Sequence, residues 1–472
     1  MYNPLSSDAT EFIDHHEILS SIDYARANAS NLPLLRSIIE KGEKMQGLTH
    51  REALTLLESE EPEIIAATAH LARRIKQRFY GNRIVMFAPL YLSNYCVNGC
   101  VYCPYHLKNK TITRRKLTQD EIRREVIALQ DMGHKRLALE AGEHPVMNPL
   151  EYILESIDTI YSVRHRNGAI RRVNVNIAAT SVDDYRRLKD AGIGTYILFQ
   201  ETYNKANYEL LHPSGPKSDY RYHTEAMDRA MEGGIDDVGL GVLFGLGSWR
   251  EEFASLLMHA EHLEAAHGVG PHTISVPRVR RADGIDPGDF AHGIDDATFA
   301  RICACIRLAV PYTGMIISTR ESRPVREQVL GLGVSQISGA SRTSVGGYAE
   351  PEAEEENSRQ FDVSDNRTLD EVVHWLMGMG HIPSFCTACY REGRTGDRFM
   401  SLCKSGQIQN CCHPNALLTL KEYLEDYAAP ATRERGEALI RKELAHVTSP
   451  HVRAIAEKRL ADIASGQRDF RF

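Results

Sequence analysis

The sequence predicts an α/β protein built on a closed (β/α)8 TIM barrel, with a helical N-terminal extension and a mainly helical C-terminal domain. Three observations carry this. Short apolar runs alternate with amphipathic helical stretches between residues 83 and 342, and such alternation makes a parallel sheet. There are eight of these units, enough to close a barrel of about 250 residues. A cysteine triplet, Cys96-Val-Asn-Gly-Cys100-Val-Tyr-Cys103, directly follows the first apolar run. Chemistry in a barrel sits at the C-terminal ends of its strands, which is where the triplet falls.

Residues 1–80 read as a mostly polar helical extension, with helix over Leu34–Glu40 and His50–Tyr80. The first four strands are expected at Arg83–Leu92, Arg136–Glu143, Val173–Ala178 and Thr195–Thr202. The other four are expected at Val238–Gly245, His272–Val279, Gly314–Arg320 and Gln336–Arg342. Helices are expected between them at Thr118–Met132, Leu150–His165, Val182–Ala191, His223–Gly233, Trp249–Ala266, Asp295–Val310 and Arg323–Leu332. The barrel thus spans 81–348. After Gly347 an acidic, exposed segment is expected over Glu350–Asp365. Helix Thr368–Met379, a cysteine-bearing loop Cys386–Cys412 and a charged helical tail, Leu417–Ser465, make up a third unit over 349–472.

The chain has 472 residues, 42% hydrophobic and 25% charged, as an ordinary globular protein does. A net charge of −7 gives no electrostatic case for nucleic acid. No apolar stretch reaches the roughly 18 residues of a membrane span. The start, Met1-Tyr2-Asn3-Pro4-Leu5, lacks a basic and an apolar region of a signal peptide, so a reducing cytoplasm is expected. Most of the ten cysteines fall in two ligand-like groups, which reads as metal binding rather than a disulfide framework. Cys303 and Cys305 lie in an apolar helical run and read as small core residues.

Three thiolates are one short of the four that close a tetrahedral zinc site or a cuboidal iron–sulfur cluster. A 4Fe-4S cluster held here would keep one iron open for a small molecule. The spacing Cys-x3-Cys-x2-Cys, with Tyr102 before the last cysteine, resembles the signature of radical S-adenosylmethionine (SAM) enzymes. The resemblance implies that the open iron chelates the amino and carboxylate groups of SAM. One electron then cleaves the sulfonium to a 5'-deoxyadenosyl radical. The bland alternative is a zinc knuckle or three unrelated thiols.

Other segments fit that resemblance. The second strand ends in Ala141-Gly142-Glu143, similar to the Gly-Gly-Glu turn that receives the SAM ammonium in this superfamily. The fifth runs on through Phe244-Gly245, similar to the strand on which the adenine lies. Strands four and seven end in Gln200-Glu201-Thr202 and Ser318-Thr319-Arg320, which look like the aromatic amino-acid lyase branch. Arg320 would point into the barrel mouth, where a guanidinium can hold a carboxylate by a two-pronged contact. Its bland alternative is a structural ion pair.

A second triplet, Cys386-x2-Cys389-x22-Cys412, again offers three thiolates for an iron–sulfur cluster with an open position. Cys411 or His413 could complete a four-ligand zinc site instead. Beyond a radical SAM barrel, this spacing resembles the tyrosine lyases that mature FeFe hydrogenases, over nearly the whole chain. The likeness includes Gly270-Pro271-His272-Thr273-Ile274. It implies that His272, at the bottom of the barrel, anchors a fifth iron on the auxiliary 4Fe-4S cluster. It also implies the reaction. L-tyrosine is cleaved to p-cresol and dehydroglycine, which gives carbon monoxide and cyanide on an iron carrying cysteine. A flavodoxin or ferredoxin as electron donor and other hydrogenase maturation proteins as partners are implied as well. The alternatives are 2-iminoacetate synthase of thiamine biosynthesis, which lacks the second triplet, and a non-catalytic zinc scaffold.

Overall fold

The computed structural model describes residues 1–350 and 358–472. Eight parallel strands form a closed barrel: β1 (Arg83–Ser93), β2 (Arg136–Ala141), β3 (Arg172–Asn176), β4 (Tyr196–Ile197), β5 (Val238–Gly241), β6 (Thr273–Ser275), β7 (Gly314–Ile317) and β8 (Gln336–Ser338). Each pairs with the next, and β8 returns to β1 through Val85–Gln336, Met86–Ile337 and Phe87–Ser338. The strands stand where the sequence predicts them, but most leave the ladder earlier at their C-terminal ends. Residues 199–202 and 244–245 have become rim loops, joined only by isolated bridges such as Glu201–Val242.

Side chains alternate across the sheet with period two. Phe87, Pro89 and Tyr91 of β1 face the barrel interior, as do Ala138 and Glu140 of β2 and Asn174 and Asn176 of β3. Met86, Ala88 and Leu90 alternate with them and are buried on the other face. Gly241 of β5 leaves its inward place to the Phe199 ring, which would collide with any side chain there. The outer helices start and stop on local signals. Helix Gln119–Met132 begins with a Thr118–Glu121 capping box and ends on the left-handed Gly133. Cys303 and Cys305 are buried in helix Asp296–Ala309, as expected of core residues.

The N-terminal extension is five helices. Pro62–Tyr80 and His50–Glu58 pack on the barrel helix Asp296–Ala309. A ninth parallel strand, β9 (Ile382–Ser384), was not legible in the sequence. It pairs with Arg83–Val85 of β1, on the edge opposite β8. Three residues with a central proline carry no periodic signal, and proline is tolerated only at such a margin.

Two expectations need correction. The span Cys386–Cys412 is not a loop: helices Ala388–Arg391 and Gly396–Ser405 fill it, and Cys412 lies in helix Gln409–Asp426. Part of the expected exposed segment, 351–357, lies outside the described residues. Its end is buried, at Phe361 and Asp365, because Asp365 pairs with Arg326 and Arg367. No helix among the described residues is long and apolar enough to cross a membrane.

Candidate active site

A cavity of about 240 Å³ fills the barrel from its rim inward. Cys96, Cys100 and Cys103 line its top, on the loop that follows β1. Cys100 is buried, and burial pushes its thiol up to about 11. Tyr102 also faces the cavity, and its hydroxyl meets His212 Nε2 at 2.7 Å.

The turn after β2 packs directly on this loop. Any side chain at Gly142 would run into the Tyr95 carbonyl, so only glycine permits the approach. Glu143 accepts a hydrogen bond from Asn98 Nδ2 at 2.6 Å, and its carbonyl accepts from Val97 N at 2.8 Å. Glu201 is held at φ 68°, a strained value for a non-glycine residue, and accepts from Lys217 Nζ at 3.2 Å. Burial works against the Lys217 charge, but Glu201 and Cys100 outweigh it and raise its pKa. Gly245, by contrast, does not line the cavity; its neighbours Leu243 and Val279 do.

Deeper in, Arg320 stacks its guanidinium on the Phe361 ring, 3.6 Å from the centroid. The acid beside it in sequence, Glu321, is committed to Arg278 and Arg280. Facing the same space is Glu140, which the sequence did not single out. Burial raises its carboxyl to about 8, with Glu201 adding and Arg320 and Asn176 opposing, so it keeps its proton at neutral pH. Lys217 was missed too, because it arrives on a short 3-10 turn, Pro216–Ser218, far from any strand end. Gln360 and Phe361 come from the segment expected to be exposed, and Gln360 accepts from Tyr91 at 2.7 Å.

The second triplet gathers at the opposite end. Cys389 and Cys412 stand with their sulfurs 3.8 Å apart. The Cys386 carbonyl accepts from Arg136, the first residue of β2, at 2.8 Å. Arginines surround these thiols. Burial opposes the charge of Arg83, yet Cys412, Cys386 and Cys389 raise its pKa. Hydrogen bonding to Cys389, with help from Arg83, lowers the thiol of Cys412. His413 Nε2 lies 3.1 Å from the Glu443 carbonyl.

His272 lies just before β6, at the bottom, with its ring 4.8 Å from Phe399 of helix Gly396–Ser405. Its Nδ1 is buried without a hydrogen-bond partner, although Asp237 is 3.3 Å away. Burial lowers its pKa to about 4, and Arg172 and Arg136 add to this against Asp237, so the ring is neutral with a free lone pair. Arg172 links it toward the cysteines, pairing with Asp237 at 3.2 Å and lying over Tyr390, next to Cys389.

Residues 90–260 match the radical SAM superfamily, and residues 275–382 match the biotin and thiamin synthesis associated domain. The crystal structure of HydG, described as a maturase of the FeFe-hydrogenase, superposes with a TM-score of 0.95 at 52% identity, covering 98% of this chain and 100% of that one. The chain belongs to the HydG family of radical SAM enzymes. The FeFe-hydrogenase maturase HydG from Carboxydothermus hydrogenoformans gives a TM-score of 0.83 at 37% identity, over 96% of this chain and 99% of that one. The 2-iminoacetate synthase of Escherichia coli (strain K12) is 30% identical over 347 residues, 73% of this chain and 89% of that protein.

Membership implies a 4Fe-4S cluster and SAM as cofactors. The donors fit. Three soft sulfurs line the cavity's top, too few for a closed structural site, and a cluster held by them would keep a coordination position open.

Proposed function

We propose that this chain is a carbon–carbon lyase of FeFe-hydrogenase maturation. It cleaves L-tyrosine to p-cresol and dehydroglycine, and converts dehydroglycine to carbon monoxide and cyanide at a second iron site. Two incomplete cysteine triplets at opposite ends of one barrel, with an arginine in the cavity below the first that pairs with no described side chain, carry the reading.

Cys96, Cys100 and Cys103 would hold the SAM-binding cluster, within a unit spanning 81–348. Cys386, Cys389 and Cys412 would hold an auxiliary 4Fe-4S cluster in the unit 349–472, with His272 as the anchor of a fifth iron. Bound at the first site, the cluster and SAM supply hydrogen-abstracting radical chemistry. The chain's own residues do the rest. Arg320 grips the tyrosine carboxylate through its fork of N–H donors. Phe361 lies against that fork and steadies it. Protonated Glu140 offers a neutral donor beside it without competing for the cation. Gly142, Glu143, Glu201 and Tyr102 shape the SAM side. Cysteine and iron enter as small molecules, and a flavodoxin or ferredoxin supplies the electron.

Anaerobic turnover with tyrosine, SAM and a reductant, assayed for p-cresol, carbon monoxide and cyanide, tests this. p-Cresol without carbon monoxide from protein loaded at both sites would favour the 2-iminoacetate synthase reaction instead. Purified protein that carried zinc and no iron would favour the scaffold.

A further inference from the structure

Outside the cavity and both cysteine sets, helix Trp249–His267 and helix Ala226–Glu232 carry a cluster with no part in that chemistry. Asp228, His262 and His267 bring a carboxylate oxygen and two imidazole nitrogens within 4.8 Å of one another. Among the described residues no other three metal-type side chains converge so closely.

The hydrogen positions make the cluster unusual. His262 Nε2 and His267 Nε2 both lie 2.8 Å from the same oxygen, Asp228 Oδ1. His262 Nδ1 lies 2.8 Å from the Pro4 carbonyl. A carbonyl only accepts, so Nδ1 carries the proton, and Nε2 of the neutral ring is a bare lone pair. That lone pair faces a carboxylate oxygen, which also only accepts. A proton or a metal ion must therefore lie between them, beside a ring that is 1% exposed.

Two further observations favour the metal. A backbone carbonyl on the far nitrogen is the usual partner of a metal-bound imidazole. Asp228 Oδ2 is buried with no hydrogen-bond partner. Asp228 and His267 keep 22% and 25% exposure, which opens a path for an ion and for water. Ligands about 2.1 Å from a tetrahedral ion stand about 3.4 Å apart, so each of the two nitrogen–oxygen distances would widen by about 0.6 Å.

We propose that Asp228, His262 and His267 form a binding site for a divalent transition metal, zinc or ferrous iron, that clasps the N-terminal segment to the barrel wall. Two histidines and one carboxylate suit either ion. The clasp follows from what His262 touches: it holds the Pro4 carbonyl and stacks on Phe12 at 3.8 Å, with the rings 6° from parallel. Metal on Nε2 fixes the ring, and the ring fixes residues 4–12.

The test uses protein with its iron–sulfur sites loaded, so that the cysteines are occupied, dialysed against chelator and titrated with zinc at pH 8. One zinc per chain should bind saturably beyond the cluster iron, and amide exchange of residues 4–12 should slow on binding. His267→Gln changes a partly exposed ligand and should weaken zinc binding at least tenfold. Asp228→Asn should do the same. p-Cresol formation should be unchanged in both, because neither residue touches the cavity. No saturable zinc uptake, or equal uptake by wild type and both variants, would overturn the proposal and leave the cluster as a proton-bridged ion pair.

Discussion

The Arg320 guanidinium carbon lies over the Phe361 ring, 3.6 Å from its centroid, with no hydrogen bond or ion pair to any described side chain. The very next residue, Glu321, takes two arginines. A buried cation is costly unless paired, so an arginine stacked but unpaired in a cavity is set up for an anionic ligand. Arg320→Lys keeps the charge and loses the fork. The KM for tyrosine should rise about ten- to a hundredfold, as expected when a charge-assisted contact worth roughly 1.5–3 kcal/mol is lost. Phe361→Ala should move KM in the same direction by less. Steady-state p-cresol assays check both, and an unchanged KM in Arg320→Lys would remove Arg320 from the site.

Glu140 sets a pH dependence. Its pKa is raised to about 8, so the carboxyl is neutral below that pH and ionises as pH rises through it. The new charge would pair with Arg320 and repel the tyrosine carboxylate. Apparent tyrosine affinity should therefore fall above pH 8 in the wild type and stay flat in Glu140→Gln. For stability the sign is the same: the folded state holds a proton that the unfolded state releases near its ordinary pKa, so stability from this group declines from that pKa up to about 8.

Asp365→Ala should act on stability and on substrate together. Arg326 is fully buried against Asp365, with side-chain exposures of 0% and 2%. Removing the acid strands a buried guanidinium, at a cost of about 3–5 kcal/mol. The same change loosens the segment carrying Gln360 and Phe361. Thermal unfolding should shift down by several degrees, and the tyrosine KM should rise.

Cys100→Ala should abolish 5'-deoxyadenosine formation, because two thiolates hold and present the SAM-binding cluster poorly. Formation at the wild-type rate, measured by chromatography of a dithionite-reduced mixture, would contradict the assignment.

Much of this was legible in the chain. The first triplet lies within eight residues and the strand–helix period is strong, so the barrel and the place of that triplet after its first strand follow from pattern alone. What stayed hidden is what tertiary structure brings together. Lys217 reaches the first triplet from a short turn after a helix. Phe361 looks like part of an acidic linker until Asp365 is seen buried with Arg326. Strand β9 is three residues long and contains a proline, yet it sets Cys386 beside Arg136. Glu140 is one residue of an apolar strand; only burial makes its carboxyl unusual.

The division of labour between the two triplets is tested most directly by one measurement. Infrared spectra of a single turnover are compared for wild type and Cys389→Ser, each with its first cluster loaded, while p-cresol is counted in the same mixture. Cys389→Ser should still release p-cresol, more slowly, and should show no iron-carbonyl bands; His272→Ala should show weakened ones. Full iron-carbonyl bands from Cys389→Ser, or loss of p-cresol from that intact protein, would contradict a separate role for the second triplet.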